Sequence, residues 1–168
     1  RDRGWELGGH RVILNWPNFS GFSDEVQEEI LTHELLHIAT RPYVGPATPG
    51  FVDEGIAEWV SEDNDTFYLG PRVEDGTFDE MLPRDHEFNT GSASDIFTSY
   101  EESAAWARFS VDRFGAGEVA EFYRLLGEPR VAVGTWEYHV DRAMRAAFGQ
   151  SFGTLEDRWV DWVDRTLG

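Results

Sequence analysis

The sequence predicts an α+β fold: one mostly helical domain spanning residues 1–168, with a small antiparallel β-sheet at its amino end. Three observations carry that reading. Apolar residues recur at helical spacing between residues 24 and 60 and again beyond residue 100, and Gly or Pro punctuates the ends of these runs. Gly8-Gly9, flanked by Trp5–Leu7 and Arg11–Asn15, suits the positive backbone angles of a two-residue hairpin turn. A chain of 168 residues with 40% hydrophobic and 14% aromatic content is long enough to bury one real core, and it shows no internal repeat or low-complexity tract.

Taken in order, the hairpin comes first, with its outer strand over His10 to Trp16. A helix follows over Asp24–Ala39. Asp24-Glu25-Val26-Gln27 fits a capping box at its start, Val26, Ile30, Leu31, Leu35 and Ile38 form its apolar positions, and Pro42 ends it. A second helix opens with Thr48 as N-cap and Pro49 at the first helical position, and carries Asp53, Glu54 and Glu58. Residues 61–99, rich in Asp, Asn, Gly and Pro, read as a loop with Thr66–Leu69 as an extra strand; Asp63-Asn64-Asp65 reads as a solvated turn, lacking the glycine and distant glutamate of a calcium loop. Four further helices are expected over 101–114, 117–126, 135–148 and 154–167, with the seven tryptophans as core filling.

Charge excludes several partner classes. The net charge is −18, from 32 acidic residues against 14 cations, all arginine, and this argues against nucleic acid and anionic membrane surfaces, which are bound through clustered basic side chains. No cysteine is present, so disulfides and thiolate metal sites are excluded. No apolar run approaches the ~20 residues of a membrane span, and the amino end shows no charged-then-apolar leader pattern. The start at Arg1 reads as that of an excised domain or processed product, which favours an extracellular or cell-envelope location. Nothing in the sequence sets an oligomeric state.

The chemistry concentrates in His33-Glu34-Leu35-Leu36-His37. Residues four apart share a helix face, so both imidazoles aim at one point where a zinc ion would sit. Two imidazoles leave a tetrahedral site incomplete, and Glu34 is placed beside the open position rather than on the metal. The short connection to the second helix brings Glu54 back as a third ligand. Glu58, one turn further on, can accept the outer N–H of His33 and hold its tautomer; Asp53 is either a similar outer partner or an acid favoured near a helix amino terminus.

With His33, Glu34, His37, Glu54, Gly55, Ala57 and Glu58 in this order, the chain resembles the gluzincin zinc metallopeptidases, and among these zincins the compact thermolysin-like group. The resemblance extends through Tyr100–Gly115, Ala143–Gly149 and the helix bearing Trp159 and Trp162, and so spans most of the chain, although only the two metal helices are specific. It implies zinc-dependent hydrolysis of peptide or protein substrates: zinc on His33, His37 and Glu54 activates a water, Glu34 is the general base, and Tyr100 donates a hydrogen bond to the developing oxyanion. His86 is the reserve candidate for that last role. A metzincin would need glycine at position 40 and histidine at position 43, where Thr40 and Tyr43 stand. The Gly-x-Met-Glu-Asn segment of the aminopeptidase branch is absent before His33. The alternative reading is a zinc-containing peptide-binding or sensory module without turnover, against which Glu34 speaks, since a pure binder needs no base.

Overall fold

The structure is a computed structural model that describes residues 11–61, 69–128 and 134–167. Among them it is helical throughout: α1 (Trp16–Phe19), α2 (Asp24–Thr40), α3 (Gly50–Ser61), α4 (Gly70–Glu74), α5 (Ala93–Phe114), α6 (Ala116–Gly127), α7 (Trp136–Phe148) and α8 (Phe152–Leu167), with 3₁₀ turns at Arg41–Tyr43 and Asp85–Phe88.

The expected amino-terminal sheet is therefore corrected: no strand is found among the described residues. Residues 11–15 run as irregular chain with Ile13 91% exposed, and Trp16, expected in the outer strand, starts α1 instead. The reason is local. Pro17 presets a helical φ, and the Asn15 carbonyl accepts from the N–H groups of Asn18 and Phe19, curling the chain where a strand would have to continue. The other half of the hairpin, Trp5–Leu7 with Gly8, Gly9 and His10, lies outside the described residues, as do Asp63-Asn64-Asp65 and Thr66–Tyr68. The segment expected as a loop over 61–99 also contains more structure, holding α4, a 3₁₀ turn and the first two turns of α5.

The core is built around α5, whose Trp106 is wholly buried and meets Phe51 of α3 edge-on at 5.2 Å and Phe122 of α6 at 5.6 Å. Burying Phe51 and Phe122 contributes about 1.5–3 kcal/mol each before chain entropy is counted. Met144 and Val140 of α7 and Trp159 and Val163 of α8 complete this cluster. Not every tryptophan fills it, for Trp16 is 64% exposed.

Two helix pairings position the site. At Gly55 a Cβ would stand 2.3 Å from the Ser103 carbonyl oxygen, so glycine there lets α3 approach α5 backbone to backbone. Helix α2 packs mainly on α3 and on the 41–43 turn, and none of its residues is fully buried. The apolar positions expected to be covered on α2 are only partly so, and Leu35 is 56% exposed.

Candidate metal centre

Local signals start the two site helices, one residue away from where the sequence put them. Ser23, not Asp24, is the N-cap of α2: its hydroxyl accepts from the Val26 N–H, while the Gln27 amide reaches back to the Phe22 carbonyl. On the connection to α3, Thr48 turns its hydroxyl to accept from the Gly45 N–H at 3.1 Å. The exposed N–H of Gly50, at the start of α3, is instead satisfied by Asp85 Oδ1 at 2.7 Å, a cap supplied from 35 residues away.

With both helices set, three donor atoms converge. His33 Nε2 and His37 Nε2 lie 3.0 Å apart, and Glu54 Oε2 lies 3.2 Å from the first and 3.3 Å from the second. His33, His37 and Glu54 form the one group of potential metal ligands of this kind among the described residues. Zinc with bonds of about 2.0–2.1 Å in tetrahedral geometry has ligand-to-ligand edges of about 3.3–3.4 Å. The observed triangle is that of one tetrahedral face, so the donor set fits zinc in both chemistry and size.

The rear of each imidazole faces a carboxylate. His33 Nδ1 is 3.0 Å from Glu58 Oε1, and His37 Nδ1 is 3.5 Å from Asp53 Oδ1. With the protons held on Nδ1, both Nε2 lone pairs point at the shared centre. Asp53 also accepts a short hydrogen bond from the Tyr123 hydroxyl of α6.

Electrostatically the centre calls for positive charge. Burial pulls the His33 pKa down, but hydrogen bonds to Glu54 and Glu58 outweigh it and raise it to about 9. Hydrogen bonds to Asp53 and Glu54 carry His37 up to about 10 against the opposing effect of burial. Burial pushes Glu54 up, yet its bonds to the two histidines hold it down at about 2. In the metal-free protein these carboxylates are thus compensated by protons on imidazole, and an arriving cation must displace them.

Beside the triad lies a cavity of about 300 Å³ lined by Glu29, Ile30, His33, Glu34, Glu58, Ser61 and Tyr100. A second recess of about 230 Å³, walled largely by residues 12–15 and by Phe19, Phe22 and Ile30, also ends at Glu34. Glu34 and Ile30 thus line both. Tyr100 sits within α5, not ahead of a helix as the sequence reading had it, because that helix begins at residue 93. Its ring is 6.4 Å from that of His33 and edge-on to Phe88 at 5.2 Å. Burial, with the negative charges of Glu54, Glu58 and Glu34 added, raises its pKa to about 12, so the phenol is a proton donor at neutral pH. His86, in the exposed 3₁₀ turn, is not among the residues lining the cavity.

The sequence reading missed Asp85 and Tyr123. Asp85 lies in a charged run without periodicity, and Tyr123 follows an ordinary amphipathic core pattern on α6; neither carries a local mark of its contact with α3. No protein-family model, curated protein or solved structure matches the chain.

Proposed function

We propose that the protein is a zinc-dependent hydrolase of peptide bonds, of gluzincin type, acting on peptide or protein substrates. The observation that carries the reading is the His33–His37–Glu54 triangle, with edges of 3.0–3.3 Å, beside a cavity that Glu34 helps to line without joining the triangle. Zinc held there supplies a Lewis acid that makes water nucleophilic near neutral pH and polarises a carbonyl.

The rest of the chemistry belongs to side chains. Glu34 accepts a proton from the attacking water as the carbon–oxygen bond forms, and delivers it to the amide nitrogen as the carbon–nitrogen bond breaks. The products are a carboxylic acid and an amine, with no other reactant needed. Tyr100, which lines the same cavity, hydrogen-bonds the oxyanion that develops from the carbonyl. The two cavities that share Glu34 would give an extended chain room at the site, with the recess lined by Phe19 and Phe22 receiving an apolar side chain.

Glu34→Gln tests this reading, because it keeps size and hydrogen-bonding reach but removes basicity. The variant is expected to bind zinc as the wild type does while cleavage of a mixed peptide library falls by roughly 10²–10⁴-fold. Glu54→Ala is expected to lose zinc. Zinc-loaded wild type that binds peptides from the library but cleaves none would instead make the chain a binding module, and equal cleavage by wild type and the Gln variant would remove Glu34 as the base.

A further inference from the structure

We infer that Tyr123 is a positioning residue for the metal centre, acting through Asp53 on His37; this rests on the zinc reading above. Helix α6 contributes no ligand, yet its Tyr123 hydroxyl donates to Asp53 Oδ1, the same oxygen that faces His37 Nδ1 at 3.5 Å. Three helices are therefore joined in series, α6 to α3 to α2, through one carboxylate oxygen.

The two histidines differ in how they are braced. Glu58 faces His33 at 3.0 Å, well inside hydrogen-bonding range, whereas Asp53 faces His37 at the outer edge of that range. A contact at that limit is lost with a small rotation of the carboxylate. Asp53 is itself partly exposed, with 26% of its side chain open to solvent, so water competes for its oxygens and only a fixed donor holds one of them toward His37. Tyr123 is that donor. Its ring is 6% exposed and packed in the core, and its side chain has only two torsions to fix, so the hydroxyl is delivered to Asp53 by a rigid arm.

The ring also forms part of the wall of an apolar cavity of about 500 Å³, together with Thr40, Ile56, Trp59, Val111 and Val119. Removing the hydroxyl alone therefore separates the two roles of Tyr123: Tyr123→Phe leaves the ring and its packing and deletes the hydroxyl's hydrogen bonds, to Asp53 and to Thr40 at the end of α2, and the Asp53→Asn background separates the first from the second.

Zinc affinity, measured by competition with a chromophoric chelator, gives the test. Tyr123→Phe is expected to bind zinc roughly tenfold more weakly, at the low end of the effect of outer hydrogen-bond partners on metal affinity, while the melting temperature of the metal-free protein stays that of the wild type. In an Asp53→Asn background the same substitution should cost nothing further, because the path to His37 is already cut. Unchanged zinc affinity in Tyr123→Phe, or an equal loss in the presence and absence of Asp53, would overturn the role. A loss explained by a lower metal-free melting temperature would reduce Tyr123 to a core residue. A wild type that holds no zinc would instead sink the metal reading itself, and the role of Tyr123 with it.

Discussion

Glu54 and Glu102 both lose water on folding and respond in opposite directions. Glu54 is compensated by His33 and His37 and stays ionised far below the ordinary carboxylate range. Glu102, 5% exposed on α5, has one oxygen without a hydrogen-bond partner; burial, with Asp79 and Glu87 adding to it and Arg72 opposing, raises its pKa to about 8. The sign of the consequence follows from proton counts. Between about pH 4.5 and 8 the unfolded chain has released this proton while the folded chain keeps it, so the contribution of Glu102 to stability is full below the unfolded pKa and falls as pH rises through 8. Glu102→Gln should therefore match the wild type in urea melts near pH 4.5 and exceed it increasingly up to pH 8.5; parallel curves across that range would show that Glu102 ionises freely. The clustering of His33 and His37 was legible in the sequence because helical geometry makes i, i+4 a spatial statement, and the short connection to α3 made that of Glu54 so. The bond from Tyr123 to Asp53, separated by 70 residues, was not, because only the packing of α6 against the α2–α3 unit creates it.

At the scale of elements, Gly55 is where the sequence says least and the structure most. It follows the proposed ligand Glu54 in α3, and there α3 crosses close over Ser103 of α5, the helix that carries Tyr100. Alanine suits a helix better than glycine, yet here its Cβ would stand 2.3 Å from a backbone carbonyl that can move only with its helix. Gly55→Ala is expected to destabilise the fold by about 1–3 kcal/mol in denaturant melts, the usual range for overpacking, and a variant as stable as the wild type would mean that the helices separate freely. The long helices beyond residue 100 were readable from apolar spacing and from Gly149, which ends α7 in the left-handed conformation. The start of α5 was readable too, in hindsight: Ser92 and Asp95 form a reciprocal capping box, a pattern present in the sequence but hidden within a polar stretch. The sheet failed for a different reason. Alternation over Arg11–Asn15 sets only which way side chains would face, whereas a strand exists only with a partner to complete its hydrogen bonds.

The whole molecule is governed by its excess of 18 negative charges. Four of the arginine pairs among the described residues are local, Arg124 with Glu121 and with Glu128, Arg145 with Asp141, and Arg108 with Asp112, and surface pairs of this kind contribute at most about 1 kcal/mol each. Repulsion among the remaining acids acts over the Debye length, which shrinks from ~10 Å at 0.1 M salt to ~3 Å at 1 M. The melting temperature should accordingly rise with sodium chloride over that interval. A flat or falling trend would leave the lysine-free, acidic composition to genome bias rather than to life in salt.

Helix α2 carries two of the three proposed ligands without burying a single residue completely, and it leans principally on α3. Seventeen residues make a helix that is marginal in water by itself. Its attachment is thus a seam open to solvent, whereas α3, α5, α6, α7 and α8 all contribute buried side chains to the cluster around Trp106. A cation shared between His33 and His37 on one side of that seam and Glu54 on the other, as proposed, would be a clasp as much as a reagent. Loading the site would then tighten the joint between two helices that already meet through His33, His37 and Glu54.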